Sequence, residues 1–109
     1  MKRIKFIAIE QLLEMMENKD KFKLVEVLSE DSYKDGHIPN AINLPVDKLE
    51  KDASRKLKKT DTIIVYCASY HCPASTNAAK MLLKMGYSKT FDFKGSKKAW
   101  VDAGLELEK

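Results

Sequence analysis

The chain has 109 residues, 44% of them apolar and 33% charged, with a net charge of +4. That length carries a real core, and no Pro/Gly/Ser-rich linker, repeat or low-complexity tract divides it, so one domain over residues 1–109 is expected. Met1-Lys2-Arg3 looks like the start of a leader, but Lys5 interrupts the apolar stretch behind it and Glu10 ends it, too early for a signal peptide or membrane span; a cytoplasmic protein without membrane association is expected.

Strand and helix signals then alternate along the chain. Ile4–Ile9 reads as a short apolar strand, and a helix from about Glu10 to Asn18 places Leu12, Leu13 and Met16 on one face. Leu24–Leu28 reads as a mostly buried strand, and Ser29 caps a short helix through Lys34 that stops at Gly36. Ala41–Leu44 is a third strand closed by Pro45, and a lysine-rich helical region fills 46–58. Thr62–Tyr66 is a central strand, followed by a helix from Pro73 to Met85 with proline in its first turn and Gly86 at its stop. Thr90–Phe93 is the last strand, and Ser96–Ala103 the last helix, capped by Ser96 and ended by Gly104. Strands separated by helices predict an α/β fold with a parallel sheet covered on both faces. Ligands of such sheets bind beyond the carboxyl ends of the strands.

Cys67 lies at such an end, where Ile63-Ile64-Val65-Tyr66 gives way to the polar loop Ala68-Ser69-Tyr70-His71-Cys72. A thiol there faces the N-terminus of the next helix, whose free N–H groups and dipole favour an anion. The expectation is a reactive cysteine with a depressed pKa. A free thiol near pKa 8.5 is only about 3% thiolate at pH 7, and a drop of two units makes it roughly three-quarters thiolate. The plainer alternative is a buried structural cysteine, but the second thiol, the histidine and the small-residue helix face beyond favour an anion cradle. With two cysteines and no leader, reactivity is a better expectation than a disulfide framework.

Several segments taken together resemble the rhodanese-like, or sulfurtransferase homology, domain. Gly36-His37-Ile38-Pro39-Asn40-Ala41-Ile42-Asn43-Leu44-Pro45 is similar to that family's G-H-I-P-G-A-x-N-[IL]-P signature. Ile64-Val65-Tyr66-Cys67 resembles its strand leading to the nucleophile, and Ser75, Ala78, Ala79, Leu82, Leu83, Gly86 and Tyr87 its following helix and turn. Gly95, Trp100 and Gly104 match its last helix, so the likeness runs over nearly the whole chain. The resemblance implies a five-stranded parallel sheet flanked by helices on both faces. It also implies a sulfurtransferase in which Cys67 takes sulfane sulfur as a persulfide and passes it to a thiophilic acceptor, a thiol or a partner protein. A cofactor is not implied.

The chain departs from that pattern at three points. The family's C-x-x-G-x-R-S loop is two residues longer here, Ala74 stands where the arginine would be, and Glu26-Val27-Leu28 replaces D-V-R. Without those guanidinium forks, thiosulfate is expected to be a poor donor, and phosphatase chemistry is disfavoured.

Cys72 is read as a resolving or relaying thiol, with simple packing of the loop as the alternative. Ala68, Ser69, Tyr70, His71, Pro73, Ala74 and Ser75 are expected to line the substrate site, Ser69 and Ser75 as hydroxyl donors or as caps. A metal held by Cys67, His71 and Cys72 is not expected, because no fourth ligand is evident. His37 is expected to bond backbone, Asn40 to sit at positive φ, and Leu12, Leu13, Met15, Met16 and Trp100 to pack. The lysines of 48–59 and at 94, 97 and 98 read as a solvated face whose field favours a small anionic sulfur donor; without interleaved aromatics, nucleic acid is not an expected partner. Two other functions compete: a thiol–disulfide redox protein cycling Cys67 and Cys72 to reduce a disulfide, polysulfide or arsenate, and a non-catalytic binding module.

Overall fold

In the computed structural model, which describes residues 3–109, alternation of side chains along four central residues organises the whole molecule. The strand β4 (Ile63–Tyr66) is buried at every position. Ile63 and Val65, with Cys67 just beyond, point to one face of the sheet, and Ile64 and Tyr66 to the other. A strand apolar on both faces is stable only when helices cover both.

Five parallel strands form the sheet: β1 (Lys5–Phe6), β2 (Lys23–Glu26), β3 (Ile42–Asn43), β4 and β5 (Thr90–Asp92), in the spatial order β1-β5-β4-β2-β3. Glu26 pairs with Tyr66 and Val65 with Asp92, so the ends of β2, β4 and β5 lie side by side. The helices are α1 (Ile9–Glu17), α2 (Glu30–Asp35), α3 (Leu49–Lys56), α4 (Ala74–Lys84) and α5 (Ser96–Asp102). On one face Leu49 and Ala53 of α3 and Ala78, Ala79 and Leu82 of α4 bury Val25, Ile63 and Val65. On the other, Leu12 of α1 and Trp100 of α5 cover Leu24, Ile64 and Tyr66.

The expected α/β architecture and element order are observed, with shorter strands than the apolar runs suggested. The stretch Ile4–Ile9 holds only a two-residue strand, because the backbone turns into α1 at Ile9; Ile7 N–H still bonds Asp92 O at 3.1 Å. Met1 and Lys2, read above as the start of a possible leader, lie outside the described residues. Residues 46–58 split into a 3-10 turn (Val46–Lys48) and α3. Ser29 caps α2 as expected, accepting Ser32 N–H at 3.2 Å. Ser96, by contrast, does not cap α5: Gly95 holds that position, and the Ser96 side chain turns to other partners. Asn40 has φ 72°, and His37 Nδ1 lies 3.0 Å from Tyr33 O. Trp100 packs in the core with its Nε1–H on Glu106 O at 2.9 Å. Among the described residues no helix is long and apolar enough to cross a membrane.

Candidate functional site

The loop from Ala68 to Pro73 leaves the end of β4 and enters α4, whose buried stripe of Ser75, Ala78, Ala79, Leu82 and Leu83 fixes the helix against the sheet. Cys72 N–H bonds Ser69 O at 3.0 Å, curling the loop back on itself. Thr76 Oγ donates to Asp92 Oδ2 at 2.7 Å and ties the first turn of α4 to the end of β5. From below, α5 grips the loop: Lys97 N–H bonds Cys67 O at 3.2 Å and Lys98 N–H bonds Ala68 O at 3.0 Å.

The curl brings the two sulfurs together. Cys67 is fully buried, and its Sγ lies 3.4 Å from Cys72 O and 3.9 Å from Ser69 O. Cys72 is half-buried, and both thiols are free. Burial first, and then the hydrogen bond to Cys72, push the Cys67 thiol above its ordinary pKa, although the Ser75 hydroxyl and N–H pull the other way. Burial also works against ionisation of Cys72, but the Cys67 thiol, the N–H groups of Ala74 and Ala68 and the charge of Lys94 outweigh it, and Cys72 falls below its ordinary value. The depressed Cys67 pKa expected from the sequence is therefore not what the structure has. An anion cradle of loop amides is present, but Cys72 occupies it, while Cys67 sits deeper among carbonyl oxygens that repel a thiolate. Of the two thiols, Cys72 is the one the loop amides and Lys94 favour as thiolate, and Cys67 the one that burial favours as thiol.

The other expected site residues divide. Ala68 and Ala74 converge on Cys72 through backbone N–H groups, and the fully buried Ser75 faces Cys67 with its N–H and hydroxyl. Ser69 contributes its carbonyl to both Cys72 N–H and Cys67 Sγ. Pro73 sets the entry to α4 in helical geometry. Tyr70 and His71 point outward: Tyr70 is 62% exposed, the two rings meet edge-on, and Lys94 Nζ stands 4.9 Å above the Tyr70 ring. Among the described residues neither ring hydrogen-bonds a sulfur, and no group of three or more metal-ligating side chains is assembled.

Two features of the site went unread in the sequence. Ser96 Oγ accepts Cys67 N–H at 2.9 Å and lies 3.8 Å from Cys67 Sγ. The only signal was a polar residue at the β5–α5 junction, on the same sheet end as Cys67. Beneath the site, on the opposite face, Glu26 is fully buried and accepts from Tyr66 OH at 3.0 Å and Lys97 Nζ at 3.1 Å. Tyr66 OH in turn accepts Ile38 N–H at 3.0 Å, and burial followed by the Glu26 charge raises the Tyr66 pKa. Glu26 was visible only as a variant of the acidic residue in D-V-R; its lysine partner lies 71 positions away and has no local signature.

The family model described as rhodanese-like domain matches residues 8–103 of the chain. The chain is 31% identical over 108 residues to the thiosulfate sulfurtransferase GlpE of Shewanella oneidensis, covering 94% of this chain and 98% of that protein. It is 32% identical over 77 residues to the GlpE protein of Coxiella burnetii, covering 71% and 69%. Among solved structures, the BH2092 protein from Bacillus halodurans superposes with a TM-score of 0.88 at 28% identity, over 95% of this chain and 76% of that one. The rhodanese-like domain of Alr3790 from Anabaena sp. gives 0.86 at 27% identity, over 97% and 80%.

Proposed function

Because the chain belongs to the rhodanese-like domain family, we propose that it is a sulfurtransferase moving sulfane sulfur through a persulfide on Cys67. The observation that carries this reading is the free thiol of Cys67 at the end of β4, buried beneath the loop with its Sγ 3.4 Å from Cys72 O and the second free thiol beside it. As a thiolate, the form its loop amides favour, Cys72 takes the proton of Cys67 as that sulfur attacks. Cys67 then bonds to the sulfane sulfur of the donor, and the donor's S–S bond breaks with its electron pair leaving on sulfite or a thiolate. A buried thiolate of raised pKa is scarce, but once formed it is a stronger nucleophile than one of depressed pKa. An acceptor thiolate attacks the outer sulfur of the persulfide and returns Cys67 as thiolate, which recovers its proton from Cys72. Cys67 has no exposed surface, so the donor reaches it as loop 68–73 yields. Lys94 at the rim favours an anionic donor.

Ala74 leaves the loop without a guanidinium fork, and two relatives carry the name thiosulfate sulfurtransferase. The donor favoured here is a polysulfide or persulfide, because thiosulfate needs its sulfonate oxygens held by charge-assisted bonds worth about 1.5–3 kcal/mol each.

Intact-mass measurement after incubation with a polysulfide tests the proposal. Wild type should gain about 32 Da per sulfane sulfur, and Cys67→Ser should gain nothing. Full sulfur loading of Cys67→Ser would refute it. The contact between the sulfurs also supports a second reading, thiol–disulfide cycling, because attack of Cys72 on the Cys67 sulfur releases sulfide and leaves a Cys67–Cys72 disulfide. That outcome is a loss of two hydrogens in place of the gain. In Cys72→Ser the persulfide should form and persist longer than in wild type when no acceptor thiol is added.

A further inference from the structure

Ser96, the first residue of α5, is fully buried with φ 60°, the left-handed region that residues other than glycine rarely adopt. Strain of this kind persists where the surroundings hold the residue in place and tends to mark functional positions. The contacts of its hydroxyl indicate what is being held. Ser96 Oγ accepts Cys67 N–H at 2.9 Å, and it lies 3.1 Å from Phe93 O, 3.2 Å from Lys94 O and 3.8 Å from Cys67 Sγ.

A hydroxyl has one proton to give and can turn it without moving a heavy atom. While Cys67 is a thiol, the carbonyls of Phe93 and Lys94 are closer and better acceptors. Once that sulfur carries negative charge it outcompetes them, because hydrogen bonds to an ionised acceptor are roughly twice as strong as neutral ones. The chain from Cys67 N–H through Ser96 O–H to Cys67 Sγ then closes on a single residue. It fixes the direction of the Cys67 side chain, and the N–H it accepts polarises the hydroxyl into a better donor.

We infer that Ser96 is a positioning residue for Cys67, holding the inner sulfur by its hydroxyl whenever that sulfur is anionic. The inference rests on the reading of Cys67 as the sulfur carrier. It needs no movement of the loop and no added group.

Ser96→Gly removes the hydroxyl and suits φ 60°, while Ser96→Ala removes the hydroxyl and keeps the strain. Both are made in a Cys72→Ser background, so that one sulfur titrates, and the ultraviolet absorbance of the thiolate is followed against pH. Both variants should move the Cys67 midpoint upward by about half a unit to one unit, which is roughly three- to tenfold less thiolate at neutral pH. Ser96→Ala should melt at a lower temperature than Ser96→Gly. An unchanged midpoint in folded Ser96→Gly overturns the inference, and so does a shift confined to Ser96→Ala, which would mark backbone strain alone. Sulfur loading of the Cys72→Ser parent separates the two readings. A midpoint shift without loading defeats the sulfurtransferase proposal only, and loading without a shift defeats the role of Ser96 only.

Discussion

Replacing Lys97 by methionine keeps the aliphatic stem and removes one charge from beneath the site. Lys97 Nζ lies 3.1 Å from Glu26 Oε1 and donates to Ser32 O at 2.9 Å. Its side chain is 15% exposed and that of Glu26 not at all. In the variant Glu26 keeps only the Tyr66 hydroxyl, and its Oε2 already lacks a partner. Breaking a buried ion pair costs about 3–5 kcal/mol, and the partial exposure of Lys97 places this one near 3 kcal/mol. For 109 residues an unfolding entropy of about 2.1 cal/mol/K each gives about 0.23 kcal/mol/K, so Tm should fall by roughly 13 °C at neutral pH. The loss should depend on pH in a defined direction. Burial raises the Glu26 carboxyl above its ordinary range, and Lys97, by hydrogen bond and charge, is the main group drawing it back, with Tyr66 and His37 helping. A carboxyl raised in the folded state contributes stability that is full below its unfolded value and is lost as pH rises through its folded value. Lys97→Met raises it further, so the variant should lie close to wild type at pH 4, short of about 1 kcal/mol for the Ser32 bond, and diverge as pH rises. Thermal unfolding of both proteins across that range decides the matter. A Tm difference equal at pH 4 and pH 7.5 would refute the assignment of Glu26 as a buried, titrating partner.

Limiting iodoacetamide at pH 7, followed by peptide mapping, should label Cys72 before Cys67, because Cys72 is only partly buried and its pKa is lowered by the Cys67 thiol, the loop amides and Lys94; preferential labelling of Cys67 would contradict that placement of the loop amides. Steady-state efficiency with a polysulfide should exceed that with thiosulfate by about tenfold or more, and Ala74→Arg should narrow the gap; a strong thiosulfate preference in the native protein would count against the missing-fork argument. Gly95→Ala should lower stability by about 1–3 kcal/mol in denaturant melts through overpacking, since the new Cβ would stand 2.7 Å from Ala99 Cβ; an unchanged midpoint would mean that α5 shifts freely there.

Much of the architecture was legible because it depends on local pattern. The β4 run Ile63–Tyr66 is apolar at every position, which only a doubly covered strand explains, and it ends at a cysteine followed by a polar loop and a helix. Ser75, Ala78, Ala79, Leu82 and Leu83, singled out by resemblance to the family's helix, form the buried stripe of α4. The motif from Gly36 to Pro45 and the last helix around Trp100 carried the family resemblance, and Ala74 the missing fork, because each is a matter of residue identity at a position.

Charge placement inside the site was a different matter. The sequence puts two thiols and a helix N-terminus within one loop, and the N-terminus argument assigned the favourable amides to Cys67. Only the curl of the loop decides how N–H groups and carbonyls divide between the sulfurs: Cys72 receives the N–H groups of Ala68 and Ala74, while Cys67 faces the oxygens of Cys72 and Ser69 with the Ser75 N–H as partial offset. The bond of Ser96 to Cys67 N–H and the Glu26–Lys97 pair are likewise products of tertiary structure, since they join residues 29 and 71 positions apart. A pKa is set by the few ångströms around an atom, and sequence specifies those surroundings only through the packing of β2, β4, β5 and α5 at one end of the sheet.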